Sequence, residues 1–233
     1  MNEERNEIND YSNIKNIIFD LDNTIILDCK KDAESYKDVL KNNGYNENDY
    51  MEIYNAIGDY DNIIDEEHCF YNKIDMLNFI NKGLNKKYSE KFIDEIIACV
   101  GEKWVNSVLI SENTIEYLFS KYNLYVLTNY YQDAQNERIN RIGYSKYFKK
   151  VFGADKYGCK QFKKSFERVL NEIDAKPEEC IMIGDDKSRD IIAANNMKMK
   201  SILFDYNGKR DKKEIVAKDY IIIKDMEELE KIL

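Results

Sequence analysis

The stretch NIIFDLDNT, residues 16–24, decides the fold. It begins with a short apolar run of β-forming residues, whose length suits a buried strand better than a helix. The run leads into two carboxylates, Asp20 and Asp22, and then into the turn-like pair Asn23-Thr24. We therefore predict a buried β-strand with acidic side chains at its carboxyl end.

Five further runs resemble this first strand in length and apolar character. They are residues 124–129 (LYVLTN), 151–155 (VFGAD), 180–185 (CIMIGD), 201–205 (SILFD) and 220–223 (YIII). Helical patterns separate them or follow them, at residues 115–122 (with Ile115, Leu118, Phe119 and Tyr122 on one face), 162–173, 188–197 and 226–233. The alternation predicts an α/β protein, a three-layer α/β/α Rossmann-like fold with a parallel sheet.

Residues 28–108 interrupt this alternation because they show helical patterns only. We predict helices at residues 32–43, 47–57, 66–81 and 89–105, with Gly44, Gly58 and Gly83 as C-terminal stops. A helical stretch of this length after the first strand indicates a separate small bundle. The predicted division is a core of residues 1–27 and 109–233, with residues 28–108 inserted.

Polar and mostly acidic residues end the predicted strands. They are Asp20, Asp22, Thr24, Thr128, Asn129, Asp155, Asp185 and Asp186. The carboxyl ends of parallel strands share one edge of the sheet, where ligands bind. Aspartates that converge there repel each other unless a hard cation lies among them, and Mg²⁺ prefers carboxylates, water and phosphate oxygens. For Asp155, as for Asp205, a capping or turn role is favoured over catalysis.

The order of these motifs resembles that of the haloacid dehalogenase-like (HAD) phosphatases. The matching residues are Asp20-Leu21-Asp22-Asn23-Thr24 for the DxDxT motif, Leu127-Thr128-Asn129 for the second, Lys160 for the third, and Gly184-Asp185-Asp186 through Asp190 for the fourth. The resemblance covers about residues 16–205. It implies a Rossmann-like core that carries the chemistry and an α-helical cap, residues 28–108, that selects the substrate.

The resemblance also implies a role for each motif residue. Asp20 would attack phosphorus and form an aspartyl-phosphate, while Asp22 would act as general acid and then as general base. The implied Mg²⁺ ligands are Asp20, the main-chain carbonyl of Asp22, and Asp185, with Asp186 or Asp190 acting through water. The implied phosphate-binding residues are Thr24, Thr128, Asn129 and Lys160, of which Thr128 and Lys160 also belong to the catalytic set.

One position departs from the family pattern, because Gln161 stands where most relatives have proline after the third-motif lysine. Lys163 or Lys164 is therefore an alternative functional cation. We favour Lys160, since Phe166 and Leu170 then keep their usual offsets from it. The acidic side chain of Asp22 favours phosphate esters over haloacids as substrates, because a halide ion leaves without a proton.

We therefore expect a magnesium-dependent phosphatase acting on a small phosphorylated metabolite. The candidate substrates are a sugar phosphate, a phosphoglycolate-like acid and a nucleoside monophosphate. Gln135 and Arg138 give a weak indication of the pyrimidine nucleotidase branch. Two alternatives stay open: a phosphotransferase or mutase on the same fold, and a non-catalytic phosphate-sensing module.

Composition excludes several other classes of protein. The net charge is −9 and no basic patch stands out, which argues against a nucleic-acid partner. No run of 18 apolar residues is present, so no membrane partner is expected, and the polar tail of residues 1–13 lacks signal-peptide features. Five scattered cysteines and a single histidine, His68, predict free thiols, no zinc site and a cytoplasmic protein. The oligomeric state is left open.

Overall fold

A computed structural model of the protein describes residues 11–208 and 220–233. Its sheet has six parallel strands in the order β3-β2-β1-β4-β5-β6. The strands are β1 (Asn16–Phe19), β2 (Asn123–Thr128), β3 (Phe148–Gly153), β4 (Cys180–Gly184), β5 (Lys200–Phe204) and β6 (Tyr220–Ile223). The predicted α/β class and parallel sheet are confirmed. Most of the predicted N-terminal tail, residues 1–10, lies outside the described residues.

Helices cover both faces of this sheet. Ile17 and Phe19 of β1 point into a cluster that includes Ile115, whereas Ile18 points into a separate cluster that includes Phe166. All three β1 side chains are fully buried. A strand that is buried on both faces has a continuous run of apolar residues. This is why residues 17–19 do not alternate between apolar and polar side chains. The predicted three-layer arrangement is confirmed.

The helices fall into an inserted group and a sheet-flanking group. The inserted helices are α1 (Tyr36–Asn42), α2 (Tyr50–Ile63), α3 (Lys73–Leu84) and α4 (Glu90–Lys103), with 3₁₀ turns at Lys30–Ser35 and Glu47–Asp49. The flanking helices are α5 (Glu112–Lys121), α6 (Gln132–Arg141), α7 (Ala154–Tyr157), α8 (Lys163–Glu172), α9 (Ala193–Asn196) and α10 (Leu229–Ile232). A π-helical segment, Lys187–Ile192, leads into α9, and 3₁₀ turns lie at Pro177–Glu179, Tyr206–Gly208 and Met226–Glu228.

Two of the three predicted glycine stops are wrong. Gly58 lies inside α2 and Gly83 inside α3, and an added Cβ at either would meet no atom within 4 Å. Gly44 does follow α1, with a φ of 74°. The helix predicted at residues 66–81 begins only at Lys73, where the Asn72 side chain accepts hydrogen bonds from the first-turn amides. Residues 66–72 instead form a loop.

Phe119, which shares the predicted helix face with Ile115 and Leu118, is 46% exposed and packs edge-on against the ring of Tyr147. One expectation on the sheet side is wrong. Asp155 does not end a strand, because β3 stops at Gly153 and Asp155 lies in α7. Its carboxylate accepts a hydrogen bond of 2.8 Å from the Gln132 amide at the start of α6. This capping contact agrees with the structural role expected for it.

Two chain segments that pair with each other connect the helical insertion to the sheet. Leu27 N donates to Ser107 O at 2.9 Å, and Leu109 N donates to Ile25 O at 2.8 Å. A second attachment joins the loop before α3 to the core, since Cys159 N donates to Cys69 O at 2.7 Å. The ion pair between Arg189 and Asp61 of α2 adds a polar link. The inserted helices therefore lie directly over the carboxyl edge of the sheet.

Candidate active site

Asp20 lies at the first residue after β1, at the centre of the sheet edge. Its amide donates to Ile183 O of β4 at 2.8 Å, which continues the strand pairing by one residue and fixes the backbone. The chain then turns tightly, because Ile25 N and Ile26 N both donate to Leu21 O. Asn23 adopts a φ of 58°, a left-handed conformation that asparagine tolerates better than most residues. This turn directs both Asp20 and Asp22 toward the same edge.

Lys160 is the cation that meets Asp20. Its ammonium contacts Asp20 Oδ1 and lies 2.8 Å from Asp190 Oδ1, and its side chain is only 5% exposed. Lys163 instead pairs with Glu167 on the surface of α8, and Lys164 is exposed. Of the three lysines considered from sequence, the structure brings Lys160 to the strand ends.

Three carboxylates crowd this edge. Asp20, Asp185 and Asp190 each offer an oxygen, and these oxygens lie within 4.8 Å of one another. At that distance and an effective dielectric constant of about 20, two unit charges repel by roughly 3–4 kcal/mol. Lys160 brings one positive charge to a group that can carry three negative charges. The donor set therefore fits a hard divalent cation.

The protonation equilibria reflect the same crowding. Burial raises the pKa of Asp20 well above its usual range; the Lys160 ammonium opposes that shift, and the charges of Asp190 and Asp185 add to it. Burial likewise raises the pKa of Asp190 against the opposing effect of Lys160. For Lys160 burial acts in the opposite sense, but Asp190 and Asp20 outweigh it and its pKa is raised. A divalent cation would favour the ionised carboxylates.

Asp22 points away from this cluster and into a polar network. Its Oδ1 lies 2.6 Å from Nη1 of Arg138, and its Oδ2 accepts a 3.1 Å hydrogen bond from Gln135 Nε2. Gln135 also donates to Thr128 Oγ1 at 2.9 Å and accepts from Arg138 Nη1 at 2.8 Å. Arg138 Nε donates to Trp104 O at 2.7 Å. Helix α6 therefore holds the Asp22 carboxylate in a fixed position.

The remaining predicted phosphate ligands surround Asp20. Thr24 is fully buried, and its hydroxyl donates to Asp20 Oδ2 at 3.2 Å. Thr128 ends β2 and is 1% exposed. Asn129 accepts from the Lys160 amide at 2.8 Å and donates to Gln161 Oε1 at 2.8 Å. Asn129 therefore ties the β2 edge to the Lys160 loop.

Asp186 and Asp190 have different surroundings. Asp186 caps the π-helical segment, because its Oδ1 accepts from Ser188 N at 2.8 Å and Arg189 N at 2.9 Å. Asp190 Oδ2 accepts from the Asp186 amide at 2.9 Å, and its Oδ1 faces Lys160. The three-carboxylate group thus contains Asp190 rather than Asp186, and the water-mediated role of Asp186 stays a prediction.

The sequence matches the model of one family, haloacid dehalogenase-like hydrolase, over residues 17–204. The chain belongs to this family. A glyceraldehyde 3-phosphate phosphatase of Pyrococcus furiosus is 27% identical over 218 residues, which are 89% of this chain and 87% of that protein. A glyceraldehyde 3-phosphate phosphatase of Methanothermobacter thermautotrophicus is 31% identical over 116 residues, 48% of this chain and 51% of its own length.

Solved structures of HAD proteins share the fold. YfnB of Bacillus subtilis, solved with bound magnesium, superposes with a TM-score of 0.71 at 19% identity, covering 94% of this chain and 98% of its own. The L-2-haloacid dehalogenase of Xanthobacter autotrophicus gives a TM-score of 0.68 at 13% identity, covering 94% and 98%. Because proteins as different as these share the fold, the fold does not identify the substrate. No described helix of this HAD hydrolase has the length and apolarity needed to cross a membrane.

A cavity of about 670 Å³ opens beside Asp22, between the inserted helices and the sheet edge. Its walls include Asp28, the aromatic side chains Tyr36, Tyr54, Trp104 and Tyr130, and several polar residues of α2. Trp104 and Tyr130 are buried, and both line this cavity. The buried network of Gln135 and Arg138 is a site feature that the sequence analysis did not predict. Their i, i+3 spacing on α6, next to the second motif, was the available signal.

Proposed function

We propose that this HAD hydrolase is a magnesium-dependent phosphatase that cleaves a small phosphate monoester through an aspartyl-phosphate on Asp20. The observation that carries the proposal is the arrangement of two carboxylates on one turn. Asp20 is buried against Lys160 within the acidic cluster, whereas Asp22, two residues later, is partly exposed beside the cavity. In the proposed reaction, Asp20 would attack phosphorus and Asp22 would exchange protons with a group in the cavity.

The chain's own residues suit both halves of such a reaction. Asp20 Oδ2 would attack phosphorus, and Thr24, Thr128 and the Lys160 ammonium would bind the phosphoryl oxygens. Asp22 would give a proton to the departing alkoxide and later take one from the attacking water. The hydrogen bond from Thr24 already orients the Asp20 carboxylate.

The acidic cluster supports a magnesium ion as cofactor. Asp20, Asp185 and Asp190 would hold it, since oxygen ligands in this number suit Mg²⁺ better than a soft metal. When bound, Mg²⁺ would offset the charge of the carboxylates and of the phosphoryl group. The magnesium found in YfnB is in line with this choice.

Asp22 also separates a phosphatase from a dehalogenase, although solved structures of both kinds resemble this chain. A halide ion needs no proton to leave, while an alkoxide does. An acid positioned by Arg138 and Gln135 beside a cavity therefore favours an oxygen leaving group. The names of the two phosphatase relatives agree with this reading.

We further propose that residues 28–108 form a cap over a core of residues 1–27 and 109–233. The pairing of Leu27 with Ser107 lies at both predicted boundaries. All the proposed catalytic and metal-binding residues lie outside the cap, whose helices supply much of the cavity wall. The core would then carry the chemistry and the cap would select the leaving group.

Activity on a broad panel of phosphate monoesters should require magnesium. Dialysis against EDTA should abolish hydrolysis, and added Mg²⁺ should restore it, because the three clustered carboxylates and the anionic substrate repel each other. Released phosphate is measured with and without alcohol acceptors, so that transfer to an acceptor is separated from hydrolysis. Full activity in the chelator would exclude a catalytic metal at the acidic cluster.

Gly184→Ala should eliminate magnesium binding. A Cβ at this position would lie 2.2 Å from Asp190 Oδ2, so Asp190 must move out of the cluster. The measurement is the rise in melting temperature on adding Mg²⁺, which ligand linkage predicts for the wild type. Gly83→Ala is the matched control, because a Cβ at this position, in the last turn of α3, meets nothing within 4 Å. A wild-type magnesium shift in Gly184→Ala would show that Asp190 is dispensable for the site.

A further inference from the structure

The cavity beside Asp22 is where the organic part of a substrate would lie if the proposed function is correct. Asp22 and Asn129 lie in its wall, next to the edge that would hold the phosphate. Its volume of about 670 Å³ is ample for a metabolite-sized group. The charges and aromatic rings of its wall therefore bear on which esters are accepted.

The charge of this wall is unbalanced. Of the described residues that line it, three are carboxylates, Asp22, Asp28 and Asp59, and one is a cation, Arg138. Arg138 is 1% exposed, and its Nη1 and Nε are bound to Asp22, Gln135 and the main chain of Trp104. Arg138 pairs with Asp22, and its charge also acts on the nearby Asp28. Among the described residues, the lining therefore holds two carboxylates more than it holds cations.

The two excess carboxylates differ in their surroundings. Asp28 Oδ1 is buried and accepts no hydrogen bond from the part of the chain that the structure describes. Burial raises the pKa of Asp28 to about 6, and the neighbouring Asp22 charge adds to the shift, so the group is still mostly ionised above pH 7. Asp59 lies on α2 and is exposed to solvent, so it lines the cavity from its open part.

Aromatic rings form much of the remaining wall. Trp104 stacks on Tyr36 with ring centroids 5.5 Å apart, and Tyr54 lies 6.0 Å from Trp104. Tyr130 is 91% buried, and its hydroxyl has no hydrogen-bond partner among the described residues. Aromatic faces attract cations through their quadrupole and tolerate uncharged groups, but they offer nothing to a carboxylate.

We propose that this cavity selects phosphate esters by the charge of their organic part, favouring an amine, accepting an uncharged group and rejecting a carboxylate. An ammonium would be attracted by Asp28 and Asp59 and could lie over the aromatic faces. A second anionic group would enter a negative cavity whose cation is already paired. Of the substrate classes expected from the sequence, this disfavours the phosphoglycolate-like acids.

Three two-carbon esters of nearly equal size test the proposal: 2-aminoethyl phosphate, 2-hydroxyethyl phosphate and phosphoglycolate. We measure kcat/KM for each with Mg²⁺ at pH 7.5, and also the constant for competitive inhibition of aryl phosphate hydrolysis. The kcat/KM of the amine should be about tenfold higher than that of the hydroxyl compound. The kcat/KM of the hydroxyl compound should in turn be about tenfold higher than that of the acid.

Charge-removing variants assign the selection to this wall. Asp28→Asn and Asp59→Asn should each reduce the preference for amine over hydroxyl and raise the relative rate of the acid. Asp38→Asn is the matched control, since it removes the same charge from an exposed position on α1 outside the cavity. Its three-ester ranking should equal that of the wild type.

The outcomes separate this inference from the proposed function on which it rests. Suppose that the aryl phosphate is hydrolysed, but that phosphoglycolate inhibits or reacts no less efficiently than 2-hydroxyethyl phosphate. Selection by charge is then wrong, while the proposed phosphatase activity is retained. The same holds if the ranking is unchanged in both folded cavity variants. If no ester is hydrolysed, the aryl phosphate included, the proposed function is wrong and the inference is wrong with it.

Discussion

Replacing Asp20 with asparagine is expected to lower turnover by at least about 10⁴-fold and to leave the protein folded. An amide has the shape of the carboxylate but cannot act as the nucleophile. The fold should tolerate it, because burial and the charges of Asp190 and Asp185 already raise the pKa of Asp20 and so oppose its ionised form. Without metal, the variant should melt at the wild-type temperature or above it.

The measurement is the initial rate on an activated aryl phosphate, beside a melting curve without metal. Asp155→Asn is the control, since Asp155 lies just beyond β3 and its carboxylate accepts a hydrogen bond from the Gln132 amide. An asparagine oxygen can accept the same hydrogen bond, so this variant should keep its turnover. Substantial activity in Asp20→Asn, with deamidation excluded by mass spectrometry, would remove Asp20 from the nucleophile role.

The convergence of Asp20 and Asp185 could be predicted from sequence because it follows from topology alone. Each lies just after a central apolar strand, and parallel strands end at the same edge of the sheet. The position of β1 between β2 and β4 then brings the two residues together. Lys160 could be assigned to the site only from the family pattern, because 140 residues of sequence separate it from Asp20.

Helix ends were less predictable because glycine has two different uses. Gly44 follows α1 in a left-handed conformation, while Gly58 and Gly83 lie within helices where no neighbour approaches. A glycine tolerates both situations, and only the packing of the surrounding chain decides between them. Asn85, with a φ of 51°, is the residue that ends α3.

The contacts of Asp22 lay beyond sequence reasoning. Arg138 and Gln135 were noticed as residues typical of a family branch, but their pairing with Asp22 depends on how α6 packs beside the first turn. Likewise, the choice between Asp186 and Asp190 depends on the π-helical segment, which turns Asp190 back toward Lys160. The i, i+3 spacing of Gln135 and Arg138 places them on one face of α6, but residue spacing does not specify which carboxylate that face meets.

Replacing Asp22 with asparagine should slow alkyl phosphates far more than activated aryl phosphates. An alkoxide is a poor leaving group and needs a proton in the transition state, whereas an aryl oxide of low pKa leaves unaided. General acid–base catalysis contributes about 10²–10⁴-fold, which sets the expected loss for the alkyl ester. The second step also needs a base to activate water, so the aspartyl-phosphate should accumulate in the variant.

The same substitution takes the ionic partner from Arg138, whose side chain is 2% exposed. An unpaired buried charge is costly, so some loss of stability is expected along with the loss of catalysis. A melting curve without substrate measures this effect by itself. The loss of stability does not affect the ratio of the alkyl rate to the aryl rate in this variant, because a loss of folded protein lowers both rates equally.

Single-turnover kinetics with acid quench resolve the first step from the second on each ester. A first-step loss confined to the alkyl ester, with a trapped intermediate on the aryl ester, would establish Asp22 as acid and then base. Equal first-step losses would mean that Asp22 does not protonate the leaving group. Its contacts with Arg138 and Gln135 would then serve to shape the turn that carries Asp20.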